Sequence, residues 1–218
     1  PQRLSGHDGR SRSCLLCRAQ PREELPMNTA FLLYASLVLA VAAQRLWEVR
    51  RATRHTRVLL KRGGIAVGDE HYPAMATLHT LWLISCIAEA SFRGVPPNIG
   101  LSITAFVVLA AGQSLRLLAM AALGERWTTR IVILPGHGPV TGGIFRYIRH
   151  PNYLGVFLEL AALPLVFGCF NTAAFFSLAN LALMLVRIPA EEKALEEAGG
   201  YQQAFAQKNR FIPGGLES

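Results

Sequence analysis

Charge is scarce in this chain. Only 17% of its 218 residues are Asp, Glu, Lys or Arg, 51% are apolar, and the mean hydropathy is positive. A soluble domain rarely combines these values, which excludes the ordinary water-soluble classes. Acidic residues are scarcest, 14 against 22 Lys and Arg, leaving a formal net charge of +8. No basic patch is interleaved with aromatics on a polar domain, so nucleic acid is not an expected partner; Lys and Arg gathered in cytoplasmic loops account for the excess. Cysteine is scarce as well. Cys14 and Cys17 form a C-x-x-C with no second ligand pair at a suitable spacing, so no metal site is expected. Cys86 and Cys169 lie in apolar runs, where Cys behaves as a small hydrophobe. Residues 1–26 lack any apolar period or signal-type apolar stretch. They are expected to be disordered upstream sequence, with Met27 as the natural start.

What is abundant is the long hydrophobic run. Five candidate spans follow: Asn28 to about Gln44, Tyr72 to about Phe92, about Asn98 to Leu123, about Asn152 to Phe167, and about Thr172 to Ile188. Each is near or above the length that crosses a bilayer. The expected fold is therefore all-α, a polytopic membrane protein of about five helices. Only Gly168-Cys169-Phe170-Asn171 separates the last two spans, which predicts a tight antiparallel hairpin. Residues 45–62 continue the first span as a basic helix expected on the membrane surface. After Pro189, where a kink is expected, Leu195, Ala198, Tyr201 and Phe205 recur at helical spacing, interrupted by Gly199-Gly200.

Loop charge gives an orientation. Residues 45–71 carry Arg45, Arg50, Arg51, Arg54, Arg57, Lys61 and Arg62, and 124–151 carry Arg126, Arg130, Arg146 and Arg149. By parity these loops share one side with the C-terminal tail, expected to be the cytoplasm; the five Arg of 1–26 run against this pattern. Glu89, His79, Gln113, Arg116 and Glu159 fall inside spans, where a charge costs about 3 kcal/mol and faces a bundle interior or a cavity. Arg116 is placed to pair with Glu159. For Glu159 function and structure weigh equally, whereas structural roles are favoured for Arg116, Glu89 and His79.

The densest chemistry lies in Pro135–Gly155, PGHGPVTGGIFRYIRHPNYLG, followed by Arg187-Ile-Pro-Ala-Glu191-Glu192. Four glycines from Gly136 to Gly143 let backbone approach a ligand closely. Pro151 suits a first helical turn, whose free N–H groups can receive an anion. Arg187 and Glu191 are one helical turn apart.

Arg149-His150-Pro151-Asn152-Tyr153-Leu154-Gly155, then a two-span hairpin, then Arg187 to Glu192 resembles the isoprenylcysteine carboxyl methyltransferase family over roughly residues 124–214. The resemblance implies a cytoplasmic pocket for S-adenosylmethionine, formed by the C-terminal half without a Rossmann sheet. Residues 27–123 would then form the N-terminal membrane part and 124–214 the catalytic region. It further implies cofactor contacts from His137, Gly138, Pro139, Val140, Phe145, His150, Pro151, Asn152, Tyr153 and Glu191, with Arg187 facing the acceptor. Phe145 stands where some relatives have Tyr. Gly63-Gly64, His71-Tyr72-Pro73, Leu78-His79 and Trp127-Thr128-Thr129-Arg130 are similar to the bacterial subgroup that O-methylates alkylresorcinols and alkylpyrones.

The expected activity is O-methylation of a lipidic acceptor, a phenolic or pyrone hydroxyl or an isoprenylcysteine-like carboxylate, in a bacterial inner membrane. A carboxylate needs only positioning by Arg187. A hydroxyl benefits from a base, and Glu159, Glu192, His71 and His79 stand as unranked candidates; the catalytic set is Arg187, Glu192 and Glu159. Rival readings are a phospholipid N-methyltransferase, an NADPH-dependent membrane reductase, and a non-catalytic scaffold or transporter.

Overall fold

The computed structural model describes residues 27–67, 71–93 and 98–213. Cys14, Cys17, the rest of the N-terminal segment and the side chain of His71 lie outside the described residues. Among the described residues six α-helices and two short strands follow one another: α1 (Met27–Lys61), β1 (Ile65–Val67), α2 (His71–Arg93), α3 (Ile99–Leu123), β2 (Ile131–Ile133), α4 (Pro151–Val166), α5 (Phe170–Ala198) and α6 (Tyr201–Ala204). Four of them, α1, α2, α3 and α5, are long and apolar enough to cross a membrane. The shorter α4 has 16 residues and is packed between α3 and α5. The fold is mostly helical and polytopic, as the hydrophobic runs predict.

The bundle is held at several levels. On the side opposite the large loops, Tyr34 of α1 stacks on Phe167 beyond α4, with ring centroids 5.0 Å apart. Trp82 of α2, fully buried, donates from Nε1 to the Leu160 carbonyl of α4 at 3.2 Å. The α4–α5 turn is as tight as expected. Arg93 donates to its Gly168 carbonyl at 2.5 Å, and Glu89 accepts from the backbone N–H groups of Asn171 and Thr172 at 3.2 and 2.7 Å. Glu89 thus satisfies free donors at the start of α5, a structural role.

The α3–α4 seam depends on small residues. A Cβ placed on Gly155 would lie 2.7 Å from the Gly112 carbonyl oxygen and 2.5 Å from Arg116 Cγ; one on Gly112 would lie 2.9 Å from the Gly155 carbonyl oxygen. Backbones approach this closely only where Cβ is missing, the usual device of membrane helix pairs.

As expected, the span from Asn28 continues into the basic stretch, and the two form one unbroken helix of 35 residues. At 1.5 Å per residue it is about 52 Å long, well beyond a hydrocarbon core of about 30 Å. α5 continues as one helix through Pro189 to Ala198, packed against α4 and β2; a membrane helix tolerates such a proline where neighbouring groups satisfy the freed carbonyl. One feature differs from the sequence reading: β1 and β2 pair antiparallel, with Ile65 opposite Ile133 and Val67 opposite Ile131. This small ribbon packs Ile131 and Ile133 on Ala194 and Ala198 of α5. The break at Gly199-Gly200 falls where expected: both glycines have positive φ, 129° and 73°, which favours residues without Cβ.

Candidate active site

The chain's two motifs meet in space. His150 precedes Pro151, the first residue of α4, and its backbone lies outside the helical region (φ −125°, ψ 59°). Its side chain makes no cap to the helix and turns to the end of α5 instead, where Nε2 donates to Glu192 Oε1 at 2.9 Å. The Tyr201 hydroxyl lies 3.2 Å from the same nitrogen. Burial first, then the negative charges of Glu192 and Glu191, push the Tyr201 phenol above its ordinary pKa, so the group stays a neutral hydroxyl. Arg210 closes the group with two hydrogen bonds to Glu192, 2.9 and 2.5 Å, and this pairing raises its own pKa.

One turn along α4, the Tyr153 hydroxyl joins the two ends of the second motif. It donates to Glu191 Oε2 at 2.5 Å and accepts from Arg187 Nε at 2.9 Å. Arg187 and Glu191 therefore share a face despite Pro189. Arg187 is tethered further by donating from Nη2 to the Thr129 carbonyl at 2.5 Å. A buried cation held in this way by neutral oxygens keeps its orientation while its charge remains available to a ligand.

The C-terminal tail forms the remaining wall. The N–H groups of Arg149 and His150 donate to the carbonyls of Asn209 and Arg210 at 3.1 and 3.0 Å, and Arg149 Nε donates to the Lys208 carbonyl at 2.5 Å. Tyr201 and Phe205 pack with Phe145, and Val140 and Leu195 lie against them.

Between these walls lies a cavity of about 600 Å³. Its loop side is lined by His137, Gly138, Pro139, Val140 and Phe145. Its helix side is lined by His150, Pro151, Asn152, Tyr153, Arg187 and Glu191. The Gly138 carbonyl accepts from Arg126 Nη1 at 2.7 Å, which fixes the glycine loop. The cavity continues past Arg187 to apolar walls on α1, α2 and α5, including Ala42, Ala76, Leu83 and Leu183.

Two of the expected catalytic residues sit apart from the cavity lining. Glu192 is engaged by His150 and Arg210, as described. Glu159 is fully buried, paired with Arg45 and accepting from Arg116 Nη1 at 3.1 and 3.2 Å. Glu48 completes this cluster, 2.5 Å from Arg116 Nη2 and 3.0 Å from Arg45 Nη1, and Gln44 bridges it to Gln113. The expected Arg116–Glu159 pair is present, with Arg45 and Glu48 added from α1. The sequence reading placed Arg45 among loop charges and did not single out Glu48. The signal was there: Glu48 is the one acidic residue between positions 45 and 62, at a spacing from Arg45 that shares a helix face.

An Arg–Tyr–Glu constellation thus lies on the wall of a loop-and-tail pocket at the loop end of the membrane helices. The family model described as "Isoprenylcysteine carboxyl methyltransferase (ICMT) family" matches residues 103–197, and the chain belongs to that family. An uncharacterised Bacillus subtilis protein, YpbQ, is 36% identical over 161 residues, 74% of this chain and 95% of that protein. An uncharacterised Haemophilus influenzae protein is 29% identical over 170 residues, 75% of this chain and 96% of its own length. The Schizosaccharomyces pombe protein-S-isoprenylcysteine O-methyltransferase is 31% identical over 110 residues, half of this chain and 46% of that enzyme.

Proposed function

We propose that the protein transfers a methyl group from S-adenosylmethionine to an oxygen of a lipidic acceptor at the cytoplasmic face of the membrane. The observation that carries this reading is the Tyr153 hydroxyl bridging Arg187 and Glu191 on the wall of one cavity with a polar loop end and an apolar helical end. A cavity of this size lies within the ordinary ligand range of about 300–1,000 Å³.

The residues present fit the cofactor. Asn152 Oδ1 is buried without a hydrogen-bond partner, an acceptor that costs free energy unless a ligand donor reaches it. Glu191 offers a carboxylate to the cofactor's cationic groups, and the Gly138 loop borders the cavity beside it. His150, Pro151 and Tyr153 complete the wall between loop and helix, with Phe145, Val140, Pro139 and His137 on the facing side. When bound, the cofactor supplies an electrophilic methyl carbon on a sulfonium. The chain's own part is positional: Arg187 orients the acceptor oxygen, Tyr153 holds Arg187, and the tail excludes water.

In this reading residues 124–214 form the cofactor side and 27–123 the acceptor side. The basic loops support a cytoplasmic side for the pocket, in what would be a bacterial inner membrane. Membranes incubated with radiolabelled S-adenosylmethionine should yield a labelled lipid whose methyl group is on oxygen. A purified protein that shows no heat-shift with the cofactor would sink the reading, and methyl on nitrogen would redirect it to phospholipid N-methylation.

A further inference from the structure

Deeper than Arg187, the same face of α5 carries one more polar side chain to the cavity. Asn180 lies seven residues earlier, which in an α-helix is two turns less about 20°, so the two share a face at a spacing of about 10.5 Å. Both border the cavity, with Leu183 and Met184 between them. Pro189 comes after this stretch of the helix and leaves the spacing intact.

Asn180 is only 4% exposed, and its amide is poorly satisfied. Nδ2 donates to Met184 Sδ at 3.6 Å, and a thioether is a weak acceptor. Oδ1 takes no hydrogen bond among the described residues. An amide buried in this way costs free energy that a ligand group can recover.

The neighbouring polar groups are engaged elsewhere. The Thr172 hydroxyl of α5 donates to the Ser85 carbonyl of α2 at 3.3 Å. From that contact, eight residues on along α5 and eight back along α2 set Asn180 opposite the stretch from Ala76 to Thr80. The polar side chains that this stretch gives to the cavity are His79 and Thr80. Each bonds a carbonyl of its own helix, Met75 at 2.8 Å and Ala76 at 2.9 Å. Arg45, Glu48 and Arg116, which also border the cavity, are paired with one another or with Glu159. A hydroxyl matches what Asn180 offers, because it donates to Oδ1 while accepting from Nδ2. A plain alkyl chain leaves the amide as it is.

We propose that Asn180 forms a second polar subsite of the cavity and that the acceptor is a lipid with a hydroxyl on its chain, about 10 Å from the oxygen that receives the methyl group. The inference rests on the methyltransferase reading above and adds to it a requirement on the acceptor's tail. Arg187 fixes one end of the acceptor, Asn180 fixes a point along the chain, and the two together set how far the lipid slides into the bundle.

Stearate and its 9-hydroxy and 17-hydroxy derivatives test this without turnover. Their carboxylate suits Arg187. An extended chain spans roughly 1.2 Å per bond, so carbon 9 comes level with Asn180 and carbon 17 lies far past it. In detergent, affinity is read from the rise of the unfolding midpoint with ligand concentration. 9-Hydroxystearate should bind wild-type protein about fivefold to tenfold more tightly than stearate or 17-hydroxystearate, the effect of one net hydrogen bond. Asn180→Leu should bring 9-hydroxystearate down to the affinity of stearate, and Arg187→Ala should weaken all three. Equal affinities for the two hydroxy derivatives in wild type, or no binding of either, overturn the proposal, and this comparison needs no variant. So does a preference for 9-hydroxystearate that survives Asn180→Leu, or one that is lost only in His79→Leu, which moves the subsite to α2. An Arg187→Ala protein that keeps all three affinities overturns it as well, by removing the end from which the spacing is measured. The methyltransferase reading fails on a different result, a wild-type protein with no heat-shift on adding S-adenosylmethionine.

Discussion

Two polar clusters cross the helices of this protein, and they are built on opposite plans. The first, Arg45, Glu48, Arg116 and Glu159, joins α1, α3 and α4 in two cations and two anions paired with one another around the fully buried Glu159, although Arg45, Glu48 and Arg116 border the same cavity. The second, Tyr153, Arg187 and Glu191 with His150 and Tyr201, joins α4, α5 and the tail and holds its buried cation, Arg187, by the neutral oxygens of Tyr153 and Thr129. In lipid both would be ruinous as isolated charges. Pairing charge with opposite charge makes a lock, and holding a cation by neutral oxygens leaves its charge to a ligand. Charge inside a span is therefore not enough to mark function; what matters is whether the chain already neutralises it.

The contrast predicts different losses when each cluster is broken. Glu159→Ala leaves two buried guanidinium groups to share Glu48. It should cost about 3–5 kcal/mol of stability, read as a lower unfolding midpoint in detergent, and should reduce activity only as folded protein is lost. Arg187→Ala should do the reverse, with turnover falling about 100-fold or more and the unfolding midpoint near wild type. Equal stability losses for the two variants would erase the distinction. Tyr153→Phe keeps the ring and removes the hydroxyl that holds Arg187; a fall of about tenfold in kcat/KM is expected, the scale of one net hydrogen bond of about 1.4 kcal/mol. The smallest effect belongs to Arg210→Ala. Its side chain is half exposed, solvent screens its pairing with Glu192, and less than about 1 kcal/mol should go; a loss as large as that of Glu159→Ala would show the rim to be as structural as the quartet.

Much of this was legible in the residues. The ends of α2, α3 and α4 fall within about two residues of the apolar runs, because a bilayer imposes a length as well as a composition. The Arg149–Gly155 and Arg187–Glu192 stretches proved to meet because a short hairpin of two helices returns its ends to the same level. What escaped was non-local. Three-residue strands such as Ile65–Val67 carry no period to detect, and their pairing with Ile131–Ile133 bridges α2 and α3 in sequence. The helix over 45–62 was legible, but its inward turn of Arg45 and Glu48 to Glu159 and Arg116 was not, since a stretch with seven basic residues reads as a surface helix. The tail's carbonyls, which take the amides of Arg149 and His150, have no side-chain signature at all.

That last feature bears on when the pocket comes into being. The segment that completes it, from Tyr201 to Arg210, follows α1 to α5 in the order of synthesis. A nascent chain halted at Gly200 would already hold α1 to α5, yet lack the ring of Tyr201, the packing of Phe205 and the backbone that seats His150. Insertion of these helices into the bilayer and closure of the cavity wall are thus separate events in the life of the chain, the second waiting on the segment beyond Gly200.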